Sequence, residues 1–220
     1  MRRGLGVAVL ALLAAGCATV PSPPPVEDPA AAWQARQAEL RALSAWTLQG
    51  RLAMRAAEEG WQASVHWIHD GARQQIDLIG PLGRGHLRLT QDNGGAELRD
   101  ADRKTWRAEN AQQLLYRITG WLVPLDGLNY WILGLPAPGP AAKLALDDQG
   151  RLKTLDQSGW DIRFLEYARQ GSLDLPSKIF IKRRGDGNET ASAQHVDVEV
   201  RLIIERWTLA GEKSGAPAAR

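Results

Sequence analysis

Residues 46–55 read WTLQGRLAMR, and residues 61–67 read WQASVHW. In the first stretch Trp46, Leu48, Gly50, Leu52 and Met54 alternate with Thr47, Gln49, Arg51, Ala53 and Arg55. In the second, Trp61, Ala63, Val65 and Trp67 alternate with Gln62, Ser64 and His66. A period of two sends successive side chains to opposite faces, so each stretch is a strand with one buried face and one wet face. Reading outward, Ile76 with Leu78, Leu87 with Leu89, Ala96 to Leu98 and Lys104 to Trp106 continue the series through short turns. Strands return at Lys143–Leu146, Arg151–Asp156, Trp160–Phe164, Lys178–Lys182 and Val196–Leu202, for about eleven in all.

Two regions break this rhythm. Ala31 to Ser44 carries Trp33, Leu40 and Leu43 among Ala, Gln and Arg, an amphipathic helix. Asn110 to Gly120 places Leu114, Leu115 and Ile118 at helical spacing, and Gly120 stops it. A second short helix starts at Pro124 and Asp126, carries Leu128, Trp131 and Ile132, and ends at Gly134 and Pro136. Sequential strands with segregated helices predict an α+β fold: an antiparallel sheet with helices on one face. A sheet of this many strands curls. Once curled and capped, it either holds a cavity or is filled by its own side chains, and both fit the pattern.

Composition narrows the function. Hydrophobic residues are 44% and charged residues 24% of the 220, a globular mix that excludes a polytopic membrane protein and a wholly disordered chain. Lys and Arg number 27 against 25 Asp and Glu, and two of the cations, Arg2 and Arg3, precede the apolar run Leu5 to Ala15. Without that pair the charges balance, so nothing favours nucleic acid. One cysteine excludes an intramolecular disulfide and a Cys-based zinc site.

That cysteine, Cys17, ends the stretch Leu13-Ala14-Ala15-Gly16-Cys17. The apolar run is shorter than the roughly 20 residues a membrane span needs, and it fits the h-region of a secretory signal. Small residues before a cysteine resemble a bacterial lipobox, with Ala14 where Leu is commoner; the alternative is an ordinary signal with a chance cysteine. Val20 to Pro29 holds five prolines, which favour an extended tether. The expected organisation is a removed signal over 1–16, a lipidated Cys17 with its tether over 17–30, one domain over 31–210 and a tail over 211–220. N-acyl and S-diacylglycerol groups on Cys17 are the only attached groups expected, with no other cofactor.

No catalytic grouping emerges. His66 and His69 point to opposite faces of one strand and cannot share a metal. Gly80 to Gly85 (GPLGRG) lacks the Lys-Ser/Thr ending of a phosphate loop and runs into a strand instead of a helix. That same turn puts Leu82 at its third position, where polar residues are usual. Leu82 either folds back on a neighbour or projects toward a membrane or apolar ligand.

Three blocks carry a resemblance: Trp46 to Ala53, Gly80 to Gly83, and the long run Leu115 to Pro136 (LYRITGWLVPLDGLNYWILGLP). With the lipobox, they make the chain similar to the LolB family of outer-membrane lipoproteins from Cys17 to about Trp207. A polar loop near Gly185 to Ala193 departs from the pattern. The resemblance implies a half-open antiparallel β-barrel under a lid of short helices, with an apolar cavity beneath. It implies a monomer, lipid-anchored in the outer membrane and facing the periplasm. Such a receptor accepts acylated lipoproteins from the periplasmic carrier LolA and inserts them into the inner leaflet without ATP. It is no enzyme. The expected cavity or lid residues are Trp46, Leu52, Met54, Trp67, Leu78, Leu89, Leu115, Trp121, Leu122 and Trp131. Leu82, with Pro81 and Gly83, corresponds to the family's membrane-insertion loop. Arg51, Arg55 and Arg88 are candidates for a mouth-to-mouth contact with the carrier. Rival readings are an envelope scaffold with a polar groove, a lipid hydrolase, and a general carrier of hydrophobic ligands.

Overall fold

The computed structural model describes residues 23–56, 59–119, 123–183 and 198–210. The signal segment, Cys17, Gly120, Trp121, Leu122, the polar loop near 185–193 and the tail lie outside the described residues. Among those described, the order is α1 (Pro29–Arg41), β1 (Ala45–Ala56), β2 (Glu59–Asp70), β3 (Arg73–Ile79), a 3-10 turn (Pro81–Gly83), β4 (His86–Asp92), β5 (Gly95–Arg99) and β6 (Thr105–Ala108). Then come α2 (Ala111–Thr119), α3 (Leu125–Trp131), β7 (Lys143–Leu146), β8 (Leu152–Gln157), β9 (Trp160–Gln170), β10 (Leu173–Arg183) and β11 (Val198–Leu209).

All eleven strands join one antiparallel sheet in the order β6-β5-β4-β3-β2-β1-β11-β10-β9-β8-β7. The edge strands β6 and β7 do not pair, so the curled sheet stays open. The expected α+β class and half-open antiparallel barrel are what the chain forms.

The centre of the sheet is the one long-range pairing. β1 runs against β11 from Trp46 opposite Leu209 to Ala56 opposite Val198. The register shifts between Gln49 and Gly50, leaving Glu205 as an extra residue on β11. A Cβ at Gly50 would lie 2.1 Å from the Ile203 carbonyl oxygen, so this bulge admits only glycine. The bulge bends both strands and helps the sheet coil.

Local chemistry sets the helix ends. Asp28 caps α1, its Oδ1 accepting from the Ala30 and Ala31 N–H groups at 2.9 and 3.0 Å, and Pro29 takes the first position. The helix therefore starts two residues earlier than the apolar pattern suggests. The proline-rich segment before it is seated: Val26 N–H donates to Asp148 O at 2.9 Å, and Gln149 Nε2 to Pro24 O at 2.7 Å. Asn110 Oδ1 accepts from Gln113 N–H at the start of α2. Gly134, at φ +78°, closes α3, with Leu135 N–H donating to Tyr130 O.

The buried core runs from Trp33 to Trp207, so a chain beginning at residue 18 keeps all of it. Trp131 Nε1 donates to Gln157 Oε1 at 2.9 Å, and the same oxygen accepts from Ala137 N–H. Gln157 Nε2 donates to the Ala137 and Pro140 carbonyls at 2.8 and 3.1 Å. One buried amide thus locks the α3–β7 connection to β8.

Candidate functional site

Apart from Glu59 at the start of β2, the inward faces of β1 to β5, β10 and β11 supply apolar side chains around a void of about 370 Å³. That lies within the roughly 300–1,000 Å³ of small-molecule sites. Leu52 and Met54 come from β1, Trp67 from β2, Leu78 from β3, Leu89 from β4 and Leu115 from α2. These six of the expected residues face one space. Val123, Leu125, Leu128 and Ile132 cover it from the α3 side. Several lining residues, among them Leu52, Leu78, Leu87 and Leu128, are half-buried: they pack against the core and also border the void.

Glu59 and Gly60 also line the void and are exposed, so it opens at the β1–β2 hairpin end. The opposite end is plugged. Trp46 is 3% exposed and sits edge-on to Trp67 and Trp207 at 5.5 and 5.7 Å, with the His69 ring stacked on it at 5.0 Å. Trp46 therefore does not line the cavity. It pairs with His69, at the far end of β2 from the mouth, and closes the floor. Burial holds His69 below the usual histidine range, with Asp70 pulling weakly the other way. Trp131 is also outside the lining: it is fully buried against Gln157 and near Trp160 at 6.3 Å. It anchors α3 instead of facing the void. Trp121 and Leu122 lie outside the described residues.

The sequence reading passed over Trp61, Val65, Leu87, Leu98, Ile181, Val200 and Leu202, which complete the wall. Trp61 and Val65 were visible in the alternation of β2. Val200 and Leu202 were visible too, in the alternation of residues 196–202 (VDVEVRL), and pairing sets them opposite Met54 and Leu52.

The Gly80–Gly85 turn stands at the same end as the mouth, since Ile79 pairs with Ser64 and the chain turns beyond it. Gly80 N–H donates to Gly85 O at 2.9 Å, Gly83 N–H to Gly80 O at 3.1 Å and Arg84 N–H to Pro81 O at 3.2 Å. Leu82 projects outward: it is 92% exposed and has φ 58°, ψ 25°. A left-handed leucine costs about 1–2 kcal/mol. Burying a leucine stabilises by about 1.5–3 kcal/mol, and in water Leu82 gains none of it. Arg51 and Arg88 lie on the outer face, paired with Glu205 at 2.7 Å and Asp77 at 2.6 Å. Arg55 is exposed opposite Gly60 at the mouth.

A family model described as "Outer membrane lipoprotein LolB" matches residues 44–207. The chain is 38% identical over 199 residues to an "Outer-membrane lipoprotein LolB" of Nitrosococcus oceani, spanning 90% of this chain and 93% of that one. It is 36% identical over 213 residues to that of Alkalilimnicola ehrlichii, spanning 96% of this chain and all of the other. Among solved structures, a DUF1329 family protein from Desulfovibrio piger shares the fold at TM-score 0.50 and 8% identity, covering 85% of this chain and 95% of that one. The three sequence blocks, the half-open barrel and a family match across the whole sheet converge: this chain belongs to the LolB family of outer-membrane lipoproteins.

Proposed function

We propose that this protein is the receptor that takes acylated lipoproteins from the periplasmic carrier LolA into its cavity and releases them into the inner leaflet of the outer membrane without ATP. The observation that carries this is the pairing of an apolar cavity with a strained, exposed leucine at one end of the barrel. Exposing an acyl chain to water costs about 0.8 kcal/mol per methylene, so a lipoprotein crosses the periplasm only inside such a cavity. Transfer without fuel requires tighter binding at each step, from carrier to receptor to bilayer. Lipidation at Cys17 holds the domain, a monomer facing the periplasm, beside the membrane and raises its effective concentration there.

The test loads LolA with a labelled lipoprotein, adds the chain from residue 18 without nucleotide, and reads which protein carries the label. Movement to this chain supports the receptor reading; retention on LolA by a folded receptor overturns it. In the lipidated protein, Leu82→Glu accepts lipoprotein normally but loses delivery into vesicles by about tenfold or more. Normal delivery by that variant removes the insertion role.

A further inference from the structure

The outer face of the sheet around the Leu82 turn is basic in a way the cavity and the leucine do not require. Gly83 borders two shallow recesses. One is shared with His86, Arg88, Arg99 and Arg103, the other with Arg51 and Arg201. Strand register sets the first group: Arg88 on β4 stands between Asp77 on β3 and Arg99 on β5.

Of the acids here, Asp77, Asp100 and Glu205 are already engaged. Asp77 is buried behind the patch, holding Arg88 Nε at 2.6 Å, His86 Nε2 at 2.7 Å and Gln75 Nε2 at 2.6 Å. Asp100 accepts from the Lys104 N–H at 2.9 Å, and Glu205 pairs with Arg51. Asp102 is exposed in the next turn. Among the described residues, the side chains of Arg84, Arg99 and Arg103 make no ion pair, although all three are exposed.

We propose that this face is a docking site for the phosphate headgroups of anionic phospholipid, flanking the point where Leu82 enters the bilayer. The proposal rests on the receptor reading and adds a membrane-binding surface to it. Charge complementarity favours a lipid surface: the unpaired Arg99 and Arg103 share a recess with Gly83 on one side of the apolar tip, and on the other side Leu82 borders a recess with Arg51, Arg201 and the partly exposed Ile79 and Ile203. An apolar wedge flanked by cations matches an interface whose headgroups are anionic and whose interior is hydrocarbon. Arginine suits phosphate because its planar fork donates two parallel hydrogen bonds. The arrangement also orients the receptor, since the mouth opens at the same end.

The test uses the chain from residue 18, which lacks a lipid anchor, in a vesicle co-sedimentation assay. Vesicles are phosphatidylcholine alone or with phosphatidylglycerol, at low and high salt. Each cation close to an anionic surface contributes about fivefold in binding. Arg84→Gln/Arg99→Gln/Arg103→Gln is expected to bind anionic vesicles about a hundredfold more weakly at low salt, while neutral vesicles show no such difference. Salt abolishes the wild-type preference, and glycerol phosphate in solution competes only at far higher phosphate concentration than vesicles. Uptake from LolA by the triple variant stays at the wild-type level, which separates this proposal from the receptor reading. Equal binding of variant and wild type to anionic vesicles overturns the headgroup site. So does reduced uptake from LolA with unchanged vesicle binding, which assigns the patch to the carrier. If wild type fails to bind vesicles yet takes the label from LolA, the headgroup site falls and the receptor reading stands.

Discussion

Two residues, Leu82 and Gly50, carry unusual backbone demands for opposite reasons. Gly50 is glycine because β11 approaches too closely for any side chain, a structural need. Leu82 is leucine where glycine or asparagine would sit without strain, so something other than folding asks for it. Replacing Leu82→Asn keeps the left-handed conformation at lower cost. Its urea midpoint is expected to equal or exceed that of wild type, while delivery into vesicles falls as for Leu82→Glu. A lower midpoint with intact delivery would show that the leucine serves the fold. The sequence placed leucine at the turn tip but left two directions open; the hydrogen bonds across the turn, set by Gly80 and Gly85, aim it outward.

At the scale of elements, most boundaries were legible because period two and period 3.6 are local properties. The exceptions are instructive. β10 extends over Leu173–Arg183 and β11 over Val198–Leu209, well beyond the stretches the alternation marked. Register shifts near Pro176 to Ile179 and at Glu205 put an extra residue into each strand, which breaks the alternation while pairing continues. The Gln157 lock is another element-level device. Gln157→Leu leaves the Trp131 and Ala137 donors buried without an acceptor, and a loss of about 3 kcal/mol in urea unfolding is expected. β3 and β4 are joined by Asp77. Burial raises its pKa, but bonds from Arg88, Gln75 and His86 outweigh that and hold it below the usual carboxylate range. A depressed carboxylate stabilises the fold above its unfolded pKa near 4 and loses that contribution as pH falls further. Asp77→Asn should therefore unfold earlier than wild type at neutral pH, with the difference shrinking on titration below pH 4. A gap that stays constant across that range would sink the assignment.

For the whole molecule, the question is whether the curled sheet is filled or hollow. The wall is apolar except for Glu59 at the mouth, and the helices bridge it instead of filling it. Leu78→Trp directs added volume toward the void that Leu78 borders. Its stability is expected to fall by no more than about 3 kcal/mol. Displacement of a fluorescent fatty-acid probe should then show binding weakened about tenfold or more. Unchanged probe binding would place the ligand elsewhere.

The strands, their faces, the helices and the placing of a leucine at the turn tip are local facts, and period, turn chemistry and the matched blocks were enough for them. Which inward residues line a void and which only pack is not local. Trp46 and Leu52 share one face of β1, yet Trp46 meets Trp67, Trp207 and His69 at the floor while Leu52 borders the void. That difference depends on where β11, α2 and α3 come to rest. Burial is decided by neighbours distant in sequence, and only the coiled sheet brings them together.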